Sequence, residues 1–133
     1  MKRDMDLVRE LLLKVEGGVS TFEPIASDVA EILGVTPEVS MSREDADKLR
    51  GHLELIEEAG FLEIETRGGG GVYAIKRITW QGYEFLDSVR DPEIWAKTKK
   101  GAAAAGGFTV DLLKDLAIGF VKKQIEERTG VTL

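Results

Sequence analysis

Few side chains in this sequence could carry nucleophilic or metal chemistry, since it has one histidine and no cysteine. A metal site normally needs several histidine, cysteine or carboxylate ligands that converge. His52 has no such set beside it in the sequence, so we expect a structural or surface histidine. No nucleophile-elbow sequence is present to support a Ser-His-Asp site. The sequence therefore predicts no catalytic residue, no metal site and no cofactor, in a protein that is not an enzyme.

Two other patterns could indicate chemistry, a glycine run and a group of carboxylates. The run Gly68 to Gly71 suggests a phosphate-binding loop, but such a loop needs a helix directly after it and usually ends in Gly-Lys-Ser/Thr. A strand pattern follows here instead, so the run indicates the tip of a β-hairpin. Glu54 and Glu58 lie four residues apart on one predicted helix face. Because no second catalytic partner accompanies them, we interpret these carboxylates as solvated surface.

Basic residues in the third predicted helix and the following hairpin form a candidate DNA surface. In a DNA-binding winged helix the corresponding helix enters the major groove. Residues 42–59 carry three basic and six acidic residues, a net charge of −3. Phosphate contact depends more on local positive potential than on net charge. The candidate DNA-contacting residues are Arg43, Lys48, Arg50, Arg67, Lys76 and Arg77.

The charge of the whole chain is unevenly distributed along its 133 residues. Met1 to Ile94 holds 11 basic and 20 acidic residues, a net charge of −9, whereas Trp95 to Leu133 holds 7 and 4, a net charge of +3. An acidic body repels phosphate backbones. This distribution favours a protein partner over DNA.

Composition also bears on the compartment. The charged N-terminus lacks the apolar run of a signal peptide, and no stretch reaches the roughly 18 apolar residues of a membrane span. The absence of cysteine fits a reducing environment. We therefore expect a cytoplasmic protein of one domain with a real core, since 43% of the residues are hydrophobic.

The first 78 residues have the spacing of three helices followed by two strands. Apolar periodicity predicts helices over Arg3–Glu16, over Ile25–Leu33 with an apolar stripe that includes Ile32 and Leu33, and from Ser42 as N-cap to Ala59. A connector that contains Pro37 separates the last two helices. Alternating residues 61–65 and 72–78 flank the glycine run as hairpin strands. This is the order of elements in a winged helix.

A further helix is expected to begin after Thr79 as N-cap, with Trp80, Tyr83, Leu86 and Val89 on its buried face. Asp91-Pro92 interrupts it and starts another segment. We expect Trp80 and Trp95 to pin this region to the fold, with exposure of Trp95 to a partner as the alternative.

The C-terminal part combines a small-residue linker with an amphipathic helix. Residues 101–107 predict a Gly/Ala hinge, or alternatively an alanine-rich helical extension. Thr109 then caps a helix over Val110–Arg128, which either packs on its own domain or binds a second copy or another protein. Acidic residues on its polar face disfavour a membrane surface. The candidate self-association or partner-binding residues are Leu112, Leu113, Leu116, Phe120, Val121 and Ile125.

Three stretches, MKRDMDLVRELL, HLELIEEAGFLE and ITWQGYEFLDSVRDPEIWAKTK, resemble one bacterial family of unknown function that is common in phages and prophages. The resemblance spans Met1 to about Lys100, and its third stretch is the most specific. The chain has Ile78 where that family commonly has leucine and Tyr83 where it commonly has histidine, and residues 17–41 match poorly. The resemblance implies a winged-helix-like core and a mobile-element context, and it carries over no activity.

Together these observations predict an α+β, mainly helical fold: a winged helix-turn-helix with a β-hairpin wing and a C-terminal amphipathic helix. We expect a winged-helix domain over 1–100, the hinge over 101–107 and a helical arm over 108–133. The predicted function is a binding or assembly module that acts through protein contacts or self-association. The alternative is a phage or prophage DNA-binding transcriptional regulator.

Overall fold

The computed structural model describes residues 1–34, 36, 40–68 and 71–133. In these residues six helices accompany a small three-stranded antiparallel sheet, which confirms the predicted α+β, mainly helical class. The helices are α1 (Met5–Glu16), α2 (Ser27–Leu33), α3 (Arg43–Glu58), α4 (Trp80–Val89), α5 (Pro92–Ala105) and α6 (Val110–Thr129). The strands are β1 (Thr21–Phe22), β2 (Leu62–Arg67) and β3 (Tyr73–Ile78).

Side-chain caps begin most of the helices where the sequence predicts them. The hydroxyls of Ser42, Thr79 and Thr109 each accept a hydrogen bond from the backbone N–H three residues later, at 3.1 to 3.2 Å. These bonds satisfy donors that lack partners within the first helical turn. Helix α1 begins two residues later than predicted because the Asp4 carboxylate is its cap and accepts from two backbone N–H groups.

The sheet has the strand order β1-β3-β2, so β3 lies in the middle and pairs antiparallel with both neighbours. The predicted hairpin is therefore confirmed as β2 and β3. Of its predicted glycine tip, Gly69 and Gly70 lie outside the described residues. Strand β1 was not predicted, because two residues are too short to show an alternating pattern.

Contacts divide the chain into two compact units, Met1–Gly82 and Tyr83–Leu133. In the first unit, α1 and α3 pack together and against the sheet. Their inward residues follow the predicted helical spacing. The buried residues are Met5, Val8, Leu11 and Leu12 of α1, Ala46, His52, Leu53 and Ile56 of α3, and Phe22, Leu62, Tyr73, Ile75 and Ile78 of the sheet.

In the second unit, α5 and α6 pack on one another. Of the two forms expected for residues 101–107, the structure has the helical extension, since α5 continues to Ala105 and ends at Gly106 with a φ of 83°. A positive φ suits glycine, which has no Cβ. Separate domains over 1–100 and 108–133 stay a prediction.

The predicted apolar stripe of α2 is wrong in its second half. Ile32 is 82% exposed and Leu33 is also exposed, whereas Ala26 and Ala30 are buried. Ala26 is the N-cap of α2, and the buried residue within the helix is Ala30. Val35 and Pro37–Val39 of the predicted connector lie outside the described residues.

The predicted buried face of α4 is also partly wrong. Trp80 is 79% exposed and Tyr83 is exposed, while Phe85, Leu86 and Val89 are buried. A spacing of three residues falls about 60° short of a full turn, so a series at every third position rotates around the helix. Trp80 and Val89 consequently lie on opposite sides of α4. Trp95 is buried, as expected.

Candidate functional site

The three candidate DNA-contacting residues of α3 are all ion-paired within the first unit. Arg43 lies 2.6 Å from Asp28, and Lys48 lies 2.9 Å from Asp4. Hydrogen bonding from Arg43 lowers the pKa of Asp28, and hydrogen bonding from Lys48 lowers the pKa of Asp4.

Arg50, near the middle of α3, makes two interactions. It lies 3.0 Å from Asp47 and also donates a hydrogen bond to the backbone carbonyl of Pro24 at 2.7 Å. Its guanidinium is thus shared between its own helix and the segment before α2.

The candidate cations of the hairpin have carboxylate partners as well. Arg67 donates to both oxygens of Glu54, at 2.9 and 3.1 Å, and also to Glu57. Arg77 lies 2.5 Å from Glu63, and Lys76 lies 4.0 Å from the same carboxylate.

The pairs of Arg67 with Glu54 and Glu57 connect the hairpin to α3, whereas those of Lys76 and Arg77 with Glu63 join the two hairpin strands. Hydrogen bonding from Arg67 lowers the pKa of Glu54, and the Tyr73 hydroxyl donates to the same carboxylate at 3.0 Å. Burial and this hydrogen bond raise the pKa of Tyr73. The Glu57 carboxylate accepts from the backbone N–H of Ile64 at 3.0 Å.

Taken together, the six candidate DNA-contacting residues face carboxylates of their own unit. Exposed pairs of this kind stabilise weakly because water screens them, so an anion could displace the partner. Their effect here is on the local potential, since each cation lies beside one or more negative charges. A phosphate backbone would meet a nearly neutral or negative surface at α3 and the hairpin.

His52 is buried and structural. Its Nε2 accepts a hydrogen bond from the backbone N–H of Asp4 at 2.8 Å, and its Nδ1 lies 2.7 Å from the carbonyl oxygen of Lys48. These partners require the neutral tautomer with its proton on Nδ1. Nε2 therefore holds the N-terminal segment against α3, while Nδ1 donates to the backbone of α3 itself. In the described ranges no three His, Asp or Glu side chains lie close enough together to hold a metal ion.

The structure separates the predicted binding face of α6 into two parts. Leu113 and Ala117 are buried in the packing with α5, where Leu116 lies against Gly101. Leu112, Phe120 and Val121 are half-buried, whereas Ile125 is 39% exposed. The first half of α6 thus packs within its own chain.

A second apolar row on α6 remains exposed, and the sequence interpretation included only part of it. Ile118 is 41% exposed and lies three and seven residues before Val121 and Ile125, so the three side chains form one row along the helix. We call this row the α6 stripe. The spacing of three and four residues is visible in the sequence. The sequence alone, however, does not separate this row from the neighbouring row of apolar residues that α5 covers.

Three cations flank the α6 stripe. Lys114 and Lys122 lie one turn before and one turn after Ile118, and Arg128 lies one turn after Ile125. Unlike the cations of α3 and the hairpin, none of these three makes an ion pair in the part of the chain that the structure describes. Helix α6 also carries Asp111, Asp115, Glu126 and Glu127, so its net charge is zero, and the α6 stripe is an exposed apolar row on a helix of mixed charge.

Within the described residues, no helix has the length and apolarity that would let it cross a membrane.

The family model described as Hypothetical protein (DUF2513) matches residues 2–108, which is more than half of the chain. The chain therefore belongs to this family, and the expected resemblance to a family of unknown function is confirmed. The chain is also similar to an uncharacterized protein of Haemophilus influenzae, 27% identical over 128 residues that cover 94% of this chain and 99% of the relative. No solved structure matches it.

Proposed function

We propose that this protein is a non-enzymatic binding and assembly module built on a winged helix, and that it acts through protein contacts, with a second copy of itself as the first partner. The order α1-β1-α2-α3-β2-β3 and the sheet order β1-β3-β2 support the winged-helix assignment. In such a fold a central strand joins a hairpin to a short strand near the first helix.

The observation that carries the proposal is the α6 stripe. A helix that only completed its own core would bury its apolar residues, yet Ile118 and Ile125 stay exposed after α5 has covered Leu113 and Ala117. Exposed apolar residues in a row along one helix are typical of helices that dock in a groove of another protein.

Sedimentation velocity of the full chain tests this proposal. We expect the wild-type chain to self-associate as its concentration rises. Replacing both exposed isoleucines, Ile118→Asp with Ile125→Asp, places charge in the interface and should leave a monomer with unchanged circular dichroism. Ile32→Asp is the matched control, because Ile32 is exposed and lies outside the stripe. A monomeric wild-type chain would refute self-association.

A second candidate function is a DNA-binding regulator of a mobile element, which the proposed winged-helix order favours. Arg43 is the most exposed of the candidate cations at the start of α3, where base contacts are made in such proteins. The test is gel retardation of duplex DNA from upstream of its own gene at low salt, with Arg43→Glu as the variant. Retardation that weakens steeply with salt would support this function, and no retardation at low salt would remove it.

A further inference from the structure

The segment before α1, residues 1–4, is attached to the middle of α3. The backbone N–H of Asp4 donates to Nε2 of His52 at 2.8 Å, and the Asp4 carboxylate accepts from Nζ of Lys48 at 2.9 Å. Gly51 lets the side chain of Met1 approach the same part of α3, since a Cβ on Gly51 would lie 2.5 Å from Sδ of Met1. The segment is therefore held by one turn and a half of α3.

Asp4 connects this attachment to the start of α1. Its carboxylate caps the helix by accepting from the backbone N–H groups of Asp6 and Leu7, at 3.0 and 3.3 Å. Asp4 and Lys48 also line a cleft of about 830 Å³ that lies along α1, β1 and α3. The position of the segment thus determines both the first turn of α1 and part of the wall of this cleft.

The contact between His52 and Asp4 requires a neutral ring. His52 is 0% exposed, and its Nδ1 donates to the carbonyl oxygen of Lys48 at 2.7 Å, so Nε2 can accept from Asp4 only through its lone pair. A proton on Nε2 would bring two donors face to face and would place a charge in a buried position. Proton uptake by His52 and closure of the segment on α3 therefore exclude one another.

We propose that His52 is a proton-sensitive latch, which holds residues 1–4 on α3 while its ring is neutral and releases them when the ring takes up a proton. Histidine is the side chain that ordinarily changes charge between about pH 5 and 8. Since only the neutral ring fits the closed segment, acidification favours the open one. The latch contains no residue of α6 and so does not depend on the proposed assembly function.

The charged groups at the latch come from the segment itself and from α3. Asp4 supplies the carboxylate and Lys48 supplies the ammonium, on which Glu44 and Asp45 also act electrostatically. Hydrogen bonding from Lys48 lowers the pKa of Asp4 below 3.8, so this carboxyl stays ionised over the range in which histidine titrates. Its own stabilising effect is present above pH 3.8 and is lost only as the pH falls through the lower, folded pKa.

The other elements that pack on α3 bury apolar residues. The buried residues of α1 are Met5, Val8, Leu11 and Leu12, and that of β2 is Leu62. The charged residues of β2 are exposed or are paired with other residues, Glu63 with Arg77, Arg67 with Glu54, and Glu65 at the surface. A change of pH between the ranges of histidine and of aspartate therefore acts on this contact through His52.

NMR spectroscopy of the full chain tests the latch. Because His52 is the only histidine, the nitrogen shifts of its ring report its protonation directly. As the pH is lowered from about 7.5 to 5, we expect the ring to take up a proton and the protection factor of the Asp4 amide against hydrogen exchange to fall by roughly tenfold or more. The amides of Leu11 and Leu12, in the middle of α1, should keep their protection and so show that the chain stays folded.

His52→Gln is the matched variant. Oε1 of glutamine can take the place of Nε2 and accept from the Asp4 N–H, but it takes up no proton, so protection of the Asp4 amide should not depend on pH. His52→Leu has no acceptor and should leave this amide unprotected at both pH values. Asn at position 4 still caps α1, so Asp4→Asn removes the pair with Lys48 and should keep the pH dependence.

Three results would overturn the latch. One is a ring that titrates while the Asp4 amide keeps its protection, and another is a ring that stays neutral down to about pH 5. The third is an equal loss of protection in the wild type and in His52→Gln, which would assign the pH dependence to another group. If His52→Leu does not fold, the comparison of the wild type with His52→Gln still decides.

Discussion

Gly82 shows how a single residue determines a close approach. A Cβ at this position would overlap the carbonyl oxygen of Phe61 and lie 2.7 Å from Cγ2 of Ile78. The preceding turn is held by the backbone N–H of Thr79, which donates to the same carbonyl at 3.0 Å. The start of α4 therefore lies against the strands at a distance that excludes a side chain.

We expect Gly82→Ala to destabilise the protein by about 1–3 kcal/mol, because the added methyl group must displace backbone rather than a flexible side chain. Urea unfolding at equilibrium measures this change. Gly119→Ala is the matched control, since Gly119 lies within α6 and a Cβ there meets nothing within 4 Å. The control should stabilise by about 0.5–1 kcal/mol through helix propensity. Equal effects of the two substitutions would contradict the close approach.

The two tryptophans should differ sharply in their contribution to stability. Trp95 is 4% exposed, and so Trp95→Ala should cost on the order of 3–5 kcal/mol through the cavity that it leaves. Trp80 is exposed, and Trp80→Ala should change the free energy of unfolding by under about 0.5 kcal/mol. Iodide quenching gives an independent measurement: fluorescence from Trp95 in a Trp80→Phe chain should be protected, and fluorescence from Trp80 in a Trp95→Phe chain should be quenched. The opposite pattern would reverse the burial assignment.

At the scale of elements, the ion pairs between α3 and the hairpin should make stability depend on pH. Arg67 lowers the pKa of Glu54 below 4.5, so the folded carboxyl binds fewer protons than the unfolded one in the acid range. The stabilisation is therefore fully present above pH 4.5 and is lost as the pH falls through the lower, folded pKa.

Arg67→Gln should accordingly be less stable than wild type at neutral pH, and the difference should shrink as the pH falls below 4.5. Thermal unfolding across this pH range measures it. The pair is half exposed, so the effect is small at high salt. Lys122→Gln is a control for the loss of one positive charge, because Lys122 makes no ion pair in the described part of the chain. If Arg67→Gln differs from wild type equally at all pH values, the pair with Glu54 contributes nothing.

Elements that depend on interactions between neighbouring residues could be predicted from the sequence. Elements that depend on contacts between distant parts of the chain could not. The caps at Ser42, Thr79 and Thr109 depend on a hydroxyl and the next turn of backbone, so residue type and spacing suffice. Strand β1 depends on pairing with β3, some 50 residues later, and nothing in two residues signals it. The buried face of α4 was predicted wrongly because residues at every third position do not stay on one face of a helix with 3.6 residues per turn. Over the ten residues of α4 the two spacings give different faces.

The candidate site could also be predicted only in part: its residues could be chosen from the sequence, but their partners could not. Basic residues of α3 and the hairpin could be chosen from the sequence, but Arg43 pairs with Asp28 and Arg67 with Glu54 across 13 to 15 residues. Such pairs depend on the folded arrangement, and their effect on the local potential could not be read from residue types. On α6 the covered and exposed rows share one amphipathic pattern, and only the packing of α5 separates them.

For the molecule as a whole, the unequal charge of residues 1–94 and 95–133 is a property of the sequence, whereas its structural meaning is a property of the fold. The six candidate DNA-contacting cations lie beside carboxylates, while Lys114, Lys122 and Arg128 make no ion pair in the described residues. Helix α6 holds four basic and four acidic residues, so it is neutral as a whole. Its exposed apolar row, rather than its charge, therefore supports contact through α6.

The packing of α5 with α6 means that α6 should not behave as a removable arm. A chain that ends at Gly107 would uncover the surface of α5 that Leu113 and Ala117 now cover. Loss of a buried leucine alone costs about 2–5 kcal/mol, so the melting temperature should fall by roughly 10 °C or more. The control chain ends at Gly130 and lacks three exposed residues, and it should melt like the wild type. If the chain ending at Gly107 keeps the wild-type melting temperature, α6 contributes little to the second unit, and the predicted separate arm over 108–133 would regain support.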